Sequence, residues 1–173
     1  MAIDSKATLY LDVDGVINFL GSRNQYTKHM DLGYLKKTSV PGHHPTYGYG
    51  VFTMNWSAEL LRKLSEVDGL EIALLSSWND SAESLFRGLD WKTDRVMPSV
   101  FGDNPFTEEN KFDLLLKEQS HNPKPFIWAD DTATLQAVDY DFGIENLILT
   151  PDDKFGLTRD DLNSIIEFVE NLD

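Results

Sequence analysis

The stretch Ala7-Thr8-Leu9-Tyr10-Leu11-Asp12-Val13-Asp14-Gly15-Val16 decides the fold. An apolar run of strand length, Ala7 to Leu11, stops at two carboxylates two residues apart, and Gly15 then lets the chain turn. Side chains at i and i+2 of a strand share a face. Two unpaired carboxylates held together are costly unless a cation neutralises them or one keeps its proton, and both arrangements serve chemistry. The carboxyl end of a buried strand is also where open α/β sheets assemble their sites.

Four more runs read as short buried strands, at Leu70–Leu75, Arg95–Val100, Pro125–Ala129 and Asn146–Thr150, each separated by a helical pattern or a turn-rich stretch. That alternation predicts an α/β fold, a Rossmann-like parallel sheet sandwiched by helices. The first strand is expected at its centre, flanked by the second and fourth. Leu60, Leu61, Leu64 and Val67 form one helical stripe, and Leu162, Ile165, Ile166 and Val169 another, with Thr158 as its cap and Asp160 and Asp161 in its first turn. A third helix is predicted from Thr107, with Glu108 and Glu109 at its positive end and Phe112, Leu115 and Leu116 facing inward. Lys111 then need not point into the core.

No repeat, low-complexity tract or linker divides the chain, so residues 1–173 read as a single domain. Residues 17–56 stand out as an insert. Within it, Leu32–Val40 and Tyr49–Met54 predict a small hairpin across the Pro41–Gly48 turn region, a flap over the carboxyl end of the first strand.

Composition narrows the function. The chain is 41% hydrophobic, as expected of a soluble globular protein, and no apolar stretch approaches membrane-spanning length. The N-terminus lacks the pattern of a secretion signal, so a cytoplasmic protein is expected. Zero cysteines exclude disulfides, thiol catalysis and cysteine-ligated metals. A net charge of −14 disfavours extended nonspecific binding to nucleic acid or to anionic membranes. Yet Ile17 to Trp56 holds Arg23, Lys28, Lys36 and Lys37 against Asp31 alone, a charge of +3 that leaves −17 on the remainder. The same segment carries Phe19, Tyr26, Tyr34, Tyr47, Tyr49, Phe52 and Trp56, which points to a face for an anionic, aromatic-bearing ligand as well as to ordinary packing.

Further polar groups fall where the sheet would deliver them to one edge. The second strand ends in Ser76-Ser77-Trp78 and the fourth in Asp130-Asp131, while Lys111 lies between them in sequence. Adjacent strands lie about 4.8 Å apart, so carboxylates at neighbouring strand ends can share one hard divalent ion such as magnesium. Taken singly, each feature has a plain structural explanation: a strand-end hydroxyl, a solvated lysine, a helix-capping aspartate. Their order is more specific. Asp-x-Asp, an apolar strand ending in Ser, a Lys, then an apolar strand ending in Asp-Asp resembles the haloacid dehalogenase-like phosphatases, and the resemblance runs from Leu9 to the final strand.

What that resemblance implies is a magnesium-dependent phosphatase acting on phosphate monoesters through an aspartyl-phosphate. Asp12 would be the nucleophile and Asp14 the acid/base. Ser76 and Lys111 would hold the transferring phosphoryl group, Ser76 being preferred to Ser77 because it directly follows the apolar run. Asp12, the main-chain carbonyl of Asp14 and Asp130 would bind magnesium, with Asp131 close by or acting through water. The family's dehalogenases lack an acid at the Asp14 position, so its presence favours phosphoryl chemistry. Val16 stands where Thr is frequent, Ser77-Trp78 replaces a small polar residue, and the last motif is a bare Asp-Asp pair. None of these departures removes a catalytic group. The insert is a minimal cap, which leaves the site open to a phosphorylated small molecule, a nucleotide or a nucleic-acid end.

Other readings rank lower. A response-regulator receiver would place its Lys after the phosphoacceptor and the hydroxyl, whereas here Lys111 precedes Asp130-Asp131. A noncatalytic phosphate-binding or regulatory domain would be expected to have lost a nucleophile or a metal ligand. His29, His43, His44 and His121 form no i, i+4 pair for zinc. Trp78 and Asn79 are placed to line the substrate entrance, with packing under the insert as the alternative for Trp78.

Overall fold

The structure, a computed structural model, describes residues 5–20, 22–38, 51–78, 82–97 and 109–172. Strand β1 (Ala7–Leu11) is buried along its whole length, as an apolar run must be when helices cover both faces of a sheet. The chain continues through α1 (Arg23–Asp31), β2 (Leu35–Thr38), β3 (Val51–Met54), α2 (Ser57–Leu64), β4 (Leu70–Leu74), α3 (Ala82–Gly88) and β5 (Arg95–Val96). It then forms α4 (Glu109–His121), β6 (Phe126–Ala129), α5 (Ala133–Ala137), β7 (Asn146–Leu149) and α6 (Arg159–Glu170).

Five strands make one parallel sheet in the order β5-β4-β1-β6-β7, so β1 is central with β4 and β6 beside it, as expected. The order runs outward from β1 in both directions, which makes the gap at its carboxyl end a topological switch point, where the connecting loops diverge and leave a crevice. Alternation along the strands divides the core. Leu9, Leu11, Ile72, Leu74 and Ile127 pack on one face with Leu61 and Leu64 of α2 and Leu162, Ile165 and Val169 of α6. Tyr10, Ala73, Phe126 and Trp128 pack on the other with Leu114 and Leu115 of α4 and with Ala133 and Ala137 of α5.

The helix ends follow local chemistry. Thr158 caps α6 in a reciprocal box, its Oγ1 accepting from the Asp161 amide while the Asp161 carboxylate accepts from the Thr158 amide. Helix α2 stops at Leu64, one turn short of Val67, which sits half-buried in the following turn. In α4, Leu114, Leu115 and Gln119 are buried and Phe112 and Leu116 are half-buried. The expected start of this helix at Thr107 and Glu108 lies outside the described residues, as do positions 98–100 of the expected third strand and the Pro41–Gly48 turn.

The insert contains the predicted hairpin, β2 antiparallel to β3 with Leu35 opposite Met54, and both of those side chains are buried. It also contains α1, which its sequence hides, because Arg-Asn-Gln-Tyr-Thr-Lys-His-Met-Asp carries no apolar stripe. The readable signal is the capping box Ser22-x-x-Gln25, whose two bonds are both formed. A loop from the far edge of the sheet clamps the turn that follows β1. The Leu157 amide donates to the Val16 carbonyl at 2.9 Å, the Leu20 amide to the Asp153 carbonyl at 3.3 Å, and the Trp56 indole to the Leu157 carbonyl at 3.0 Å.

Gly156 makes that clamp possible. Its φ is +61°, and a Cβ there would lie 2.3 Å from the Val16 carbonyl oxygen. Gly156→Ala is therefore expected to lower stability by about 1–3 kcal/mol through backbone strain and displacement of the clamp. Urea unfolding of the variant checks this, and a wild-type midpoint would contradict it.

Candidate functional site

The end of β1 lies in register with the end of β6, Tyr10 opposite Trp128 and Leu11 opposite Ala129, and the Asp12 amide continues the ladder to the Ala129 carbonyl at 3.0 Å. Asp12 therefore follows Tyr10, and Asp130 follows Trp128, onto the α4 face of the sheet. Both carboxylates are buried, at 2% and 0% exposure. Lys111 meets them there. It stands three and four residues before Leu114 and Leu115, on the stripe that α4 turns toward the sheet, at the end nearest the strands' carboxyl edge. Its Nζ lies 2.8 Å from Asp12 Oδ2 and 2.8 Å from Asp130 Oδ2.

The other groups complete the edge. Ser76 is buried just beyond β4, where the Leu75 amide still pairs with the Leu11 carbonyl, so its hydroxyl adjoins the Asp12 carboxyl. Asp130 Oδ1 accepts from the Thr132 amide at 2.9 Å and from the Thr132 hydroxyl at 2.7 Å, an arrangement that fixes its rotamer. Asp131 is half-buried and packs against the turn after β1. Gly15, with φ +74°, leaves it room, since a Cβ at that position would fall 2.5 Å from Asp131 Oδ2.

One oxygen each from Asp12, Asp130 and Asp131 lie within 4.8 Å of one another, the one such acidic or histidine group among the described residues. Oxygens on one magnesium sit about 2.1 Å from it, hence at most about 4.2 Å apart, so a small side-chain adjustment would bring these three onto one ion. Two further observations fit a hard divalent cation. Asp12 Oδ1 is buried without a hydrogen-bond partner, and Asp12 and Asp130 share the ammonium of Lys111 between two buried carboxylates. The Asp14 carboxylate stands outside this group. It is half-buried, and its Oδ1 accepts from Asn18 Nδ2 at 2.6 Å.

Electrostatics at Asp12 reflect competing causes. Burial pushes its carboxyl up to about 7; Lys111 opposes that, Asp130 adds to it, and the Ser76 hydroxyl favours the ionised form. Burial also disfavours the Lys111 ammonium, yet Asp12 and Asp130 outweigh it and hold that amine above its usual range.

The structure thus brings Asp12, Ser76, Lys111, Asp130 and Asp131 to one edge. Ser77 is half-buried beside them, and Trp78 is buried in the hydrophobic core rather than lining an entrance. His29 is buried against the rings of Phe19, Tyr34 and Phe155, with centroids 5.2–5.9 Å away, and His121 is exposed on α4. His43, His44 and Asn79 lie outside the described residues. Sequence reasoning missed Thr132 and Asn18. Asp-x-Thr after a strand is a readable turn pattern for the former. The latter depends on how the chain turns after Asp14, which no local pattern announces. A groove of about 1020 Å³ beside Gly69, Trp91 and Asp94 lies at the opposite, amino-terminal edge of the sheet and contains none of these groups. No helix among the described residues is long and apolar enough to cross a membrane.

Comparison with protein-family models found no match, and no curated protein or solved structure gave a significant one. The site is therefore read from its own chemistry.

Lys111→Ala would leave Asp12 and Asp130 facing one another without a counter-charge, a change expected to cost about 3–5 kcal/mol near pH 8. The loss should shrink toward pH 5, because wild-type Asp12 takes up a proton as pH falls through about 7 and its neutral carboxyl gains little from the Lys111 ammonium that the substitution removes. Urea unfolding at the two pH values checks the sign; an equal loss at both would contradict it.

Proposed function

We propose that the protein is a magnesium-dependent phosphatase of the haloacid dehalogenase-like type, hydrolysing phosphate monoesters through Asp12. The observation that carries this reading is the Asp12 carboxylate itself, buried beside Lys111, Ser76 and Asp130 with one oxygen unpartnered at the switch point of a parallel sheet. A structural ion pair gains nothing from a third carboxylate beside it. A phosphoryl-transfer site needs a nucleophile, a cation site and donors for three phosphoryl oxygens in one place.

In the first half-reaction a carboxylate oxygen of Asp12 attacks phosphorus, the bond from phosphorus to the ester oxygen breaks, and Asp14 gives that oxygen its proton. In the second, Asp14 takes a proton from water as the water attacks the acyl-phosphate, releasing inorganic phosphate and restoring Asp12. Lys111 and Ser76 hold the equatorial oxygens of the transferring group and offset the charge that Asp12 brings. Asp12, Asp130, Asp131 and the Asp14 carbonyl would hold magnesium, which supplies positive charge against the phosphoryl oxygens when bound. Monoester hydrolysis requires accelerations of up to ~10²¹, and general acid–base help contributes on the order of 10²–10⁴. Covalent catalysis and charge neutralisation supply the larger part, which is why the aspartates, Lys111 and Ser76 must meet.

The substrate class we propose is a nucleotide or a nucleic-acid end. Its support is the +3 charge of the insert on an otherwise acidic chain, together with Phe19, Tyr34 and Phe155, whose rings gather around His29 next to the Asn18 turn. Stacking on a base is worth about 1–3 kcal/mol. A panel of sugar phosphates, nucleotides, oligonucleotide ends and phosphopeptides checks this; preference for sugar phosphates or phosphopeptides would overturn the substrate class and leave the reaction standing.

Hydrolysis of an aryl phosphate should require magnesium, stop on chelation and vanish in Asp12→Asn. Undiminished turnover in that variant would sink the mechanism, and inactivity of the wild type on every ester would favour a noncatalytic phosphate-binding domain. Gly15→Ala should weaken magnesium binding at least tenfold, on the order of 1.4 kcal/mol, because its Cβ displaces the Asp131 carboxylate. Affinity should also fall as pH drops below about 7, where magnesium must displace the Asp12 proton. Titration calorimetry follows both effects, and pH-independent affinity would contradict the assignment of Asp12 as a ligand.

A further inference from the structure

Asn18 lies in the turn after β1 with no counterpart in the motif that carries the proposed reaction. It is buried, at 8% exposure, and its Nδ2 donates to Asp14 Oδ1 at 2.6 Å. Its backbone is fixed from three sides. The Asn18 amide donates to the Val13 carbonyl at 2.8 Å, its carbonyl accepts from the Gly15 amide at 2.9 Å, and it bridges to Thr53 on the β2–β3 hairpin. With the Asn18 backbone fixed and its side chain buried, the amide gives the Asp14 carboxylate a stationary donor.

We propose that Asn18 is a positioning residue that sets the orientation of Asp14 for proton transfer to the leaving group. This rests on the phosphatase reading above. With Oδ1 accepting the Asn18 N–H, the proton that Asp14 transfers belongs on Oδ2, and the carboxyl plane is set by a residue that the hairpin holds in place. A general acid contributes only when its proton points at the oxygen that needs it. Asn18 thus links the insert to the chemistry without touching substrate: the hairpin holds Asn18, and Asn18 aims Asp14.

The test is a double-mutant cycle read on two substrates, p-nitrophenyl phosphate, whose leaving group needs no proton, and an alkyl phosphate, whose leaving group does. Asn18→Ala should lower kcat/KM, which reports the half-reaction in which the leaving group departs, about 10–100-fold on the alkyl ester and much less on the aryl ester. In an Asp14→Asn background the same substitution should cost nothing further, because residues acting through one another are non-additive. Equal losses in kcat/KM on both esters, or losses that add in the Asp14→Asn background, would overturn the proposal while the phosphatase reading stood. Wild-type protein inactive on both esters with magnesium present would remove that reading, and the proposal with it. Asn18→Leu keeps the buried volume should Asn18→Ala fail to fold; loss of cooperative unfolding in both variants would assign Asn18 a structural role and also overturn the proposal.

Discussion

Asp12 and Asp130 lie side by side because β1 and β6 end in register, and each is buried because the sheet is covered on both faces. Two ionised carboxylates in that position repel, and neither reaches water. The single ammonium of Lys111, 2.8 Å from each, answers part of that cost. Everything else about the edge follows from this imbalance. The amide and hydroxyl of Thr132 hold one carboxylate still, and burial raises the proton affinity of the other. A third carboxylate approaches through a gap that only a glycine at position 15 leaves open.

A fold carries such a cluster when the surrounding packing is strong enough to hold it. Here the two hydrophobic layers meet the sheet immediately beneath the charged edge: Leu11 and Ala129 on one face, Tyr10 and Trp128 on the other. Trp128 is fully buried and stacks near Phe112, which is on α4 next to Lys111. The helix that supplies the cation is thus anchored by the strand that supplies the second carboxylate. That coupling explains how a long flexible side chain is confined at 11% exposure between two acids.

Much of this was legible in the residues. An uncharged, largely apolar run that ends in acids has few stable places in a folded domain, so the central strand and the switch-point site followed from Ala7–Leu11 and its successors. Register made the rest of the acidic pair readable, since parallel strands that end together put their next residues together. Lys111 was legible as a motif member but not as a contact, because its inward direction depends on which stripe of α4 meets the sheet. Helix α1 escaped because it is held by its cap and by His29 among aromatic rings rather than by an apolar stripe. Asn18 escaped because nothing in Val16-Ile17-Asn18-Phe19 records that the chain folds back on Val13.

The turn after β1 also explains why the insert and the far edge of the sheet belong to one site. Val13 through Asn18 would be a free loop if it met only solvent, and a free loop could not hold Asp14 to a fixed direction. It is instead fastened to β3 through Asn18 and Thr53, and to the segment after β7 through Val16 and Leu157. Gly156 lets the second fastening come close, just as Gly15 lets Asp131 come close on the other side. Two glycines with positive φ therefore bring the same six-residue turn into contact with two distant parts of the chain. Precision at the strand end comes from these contacts, because β1 itself stops one residue before the first carboxylate.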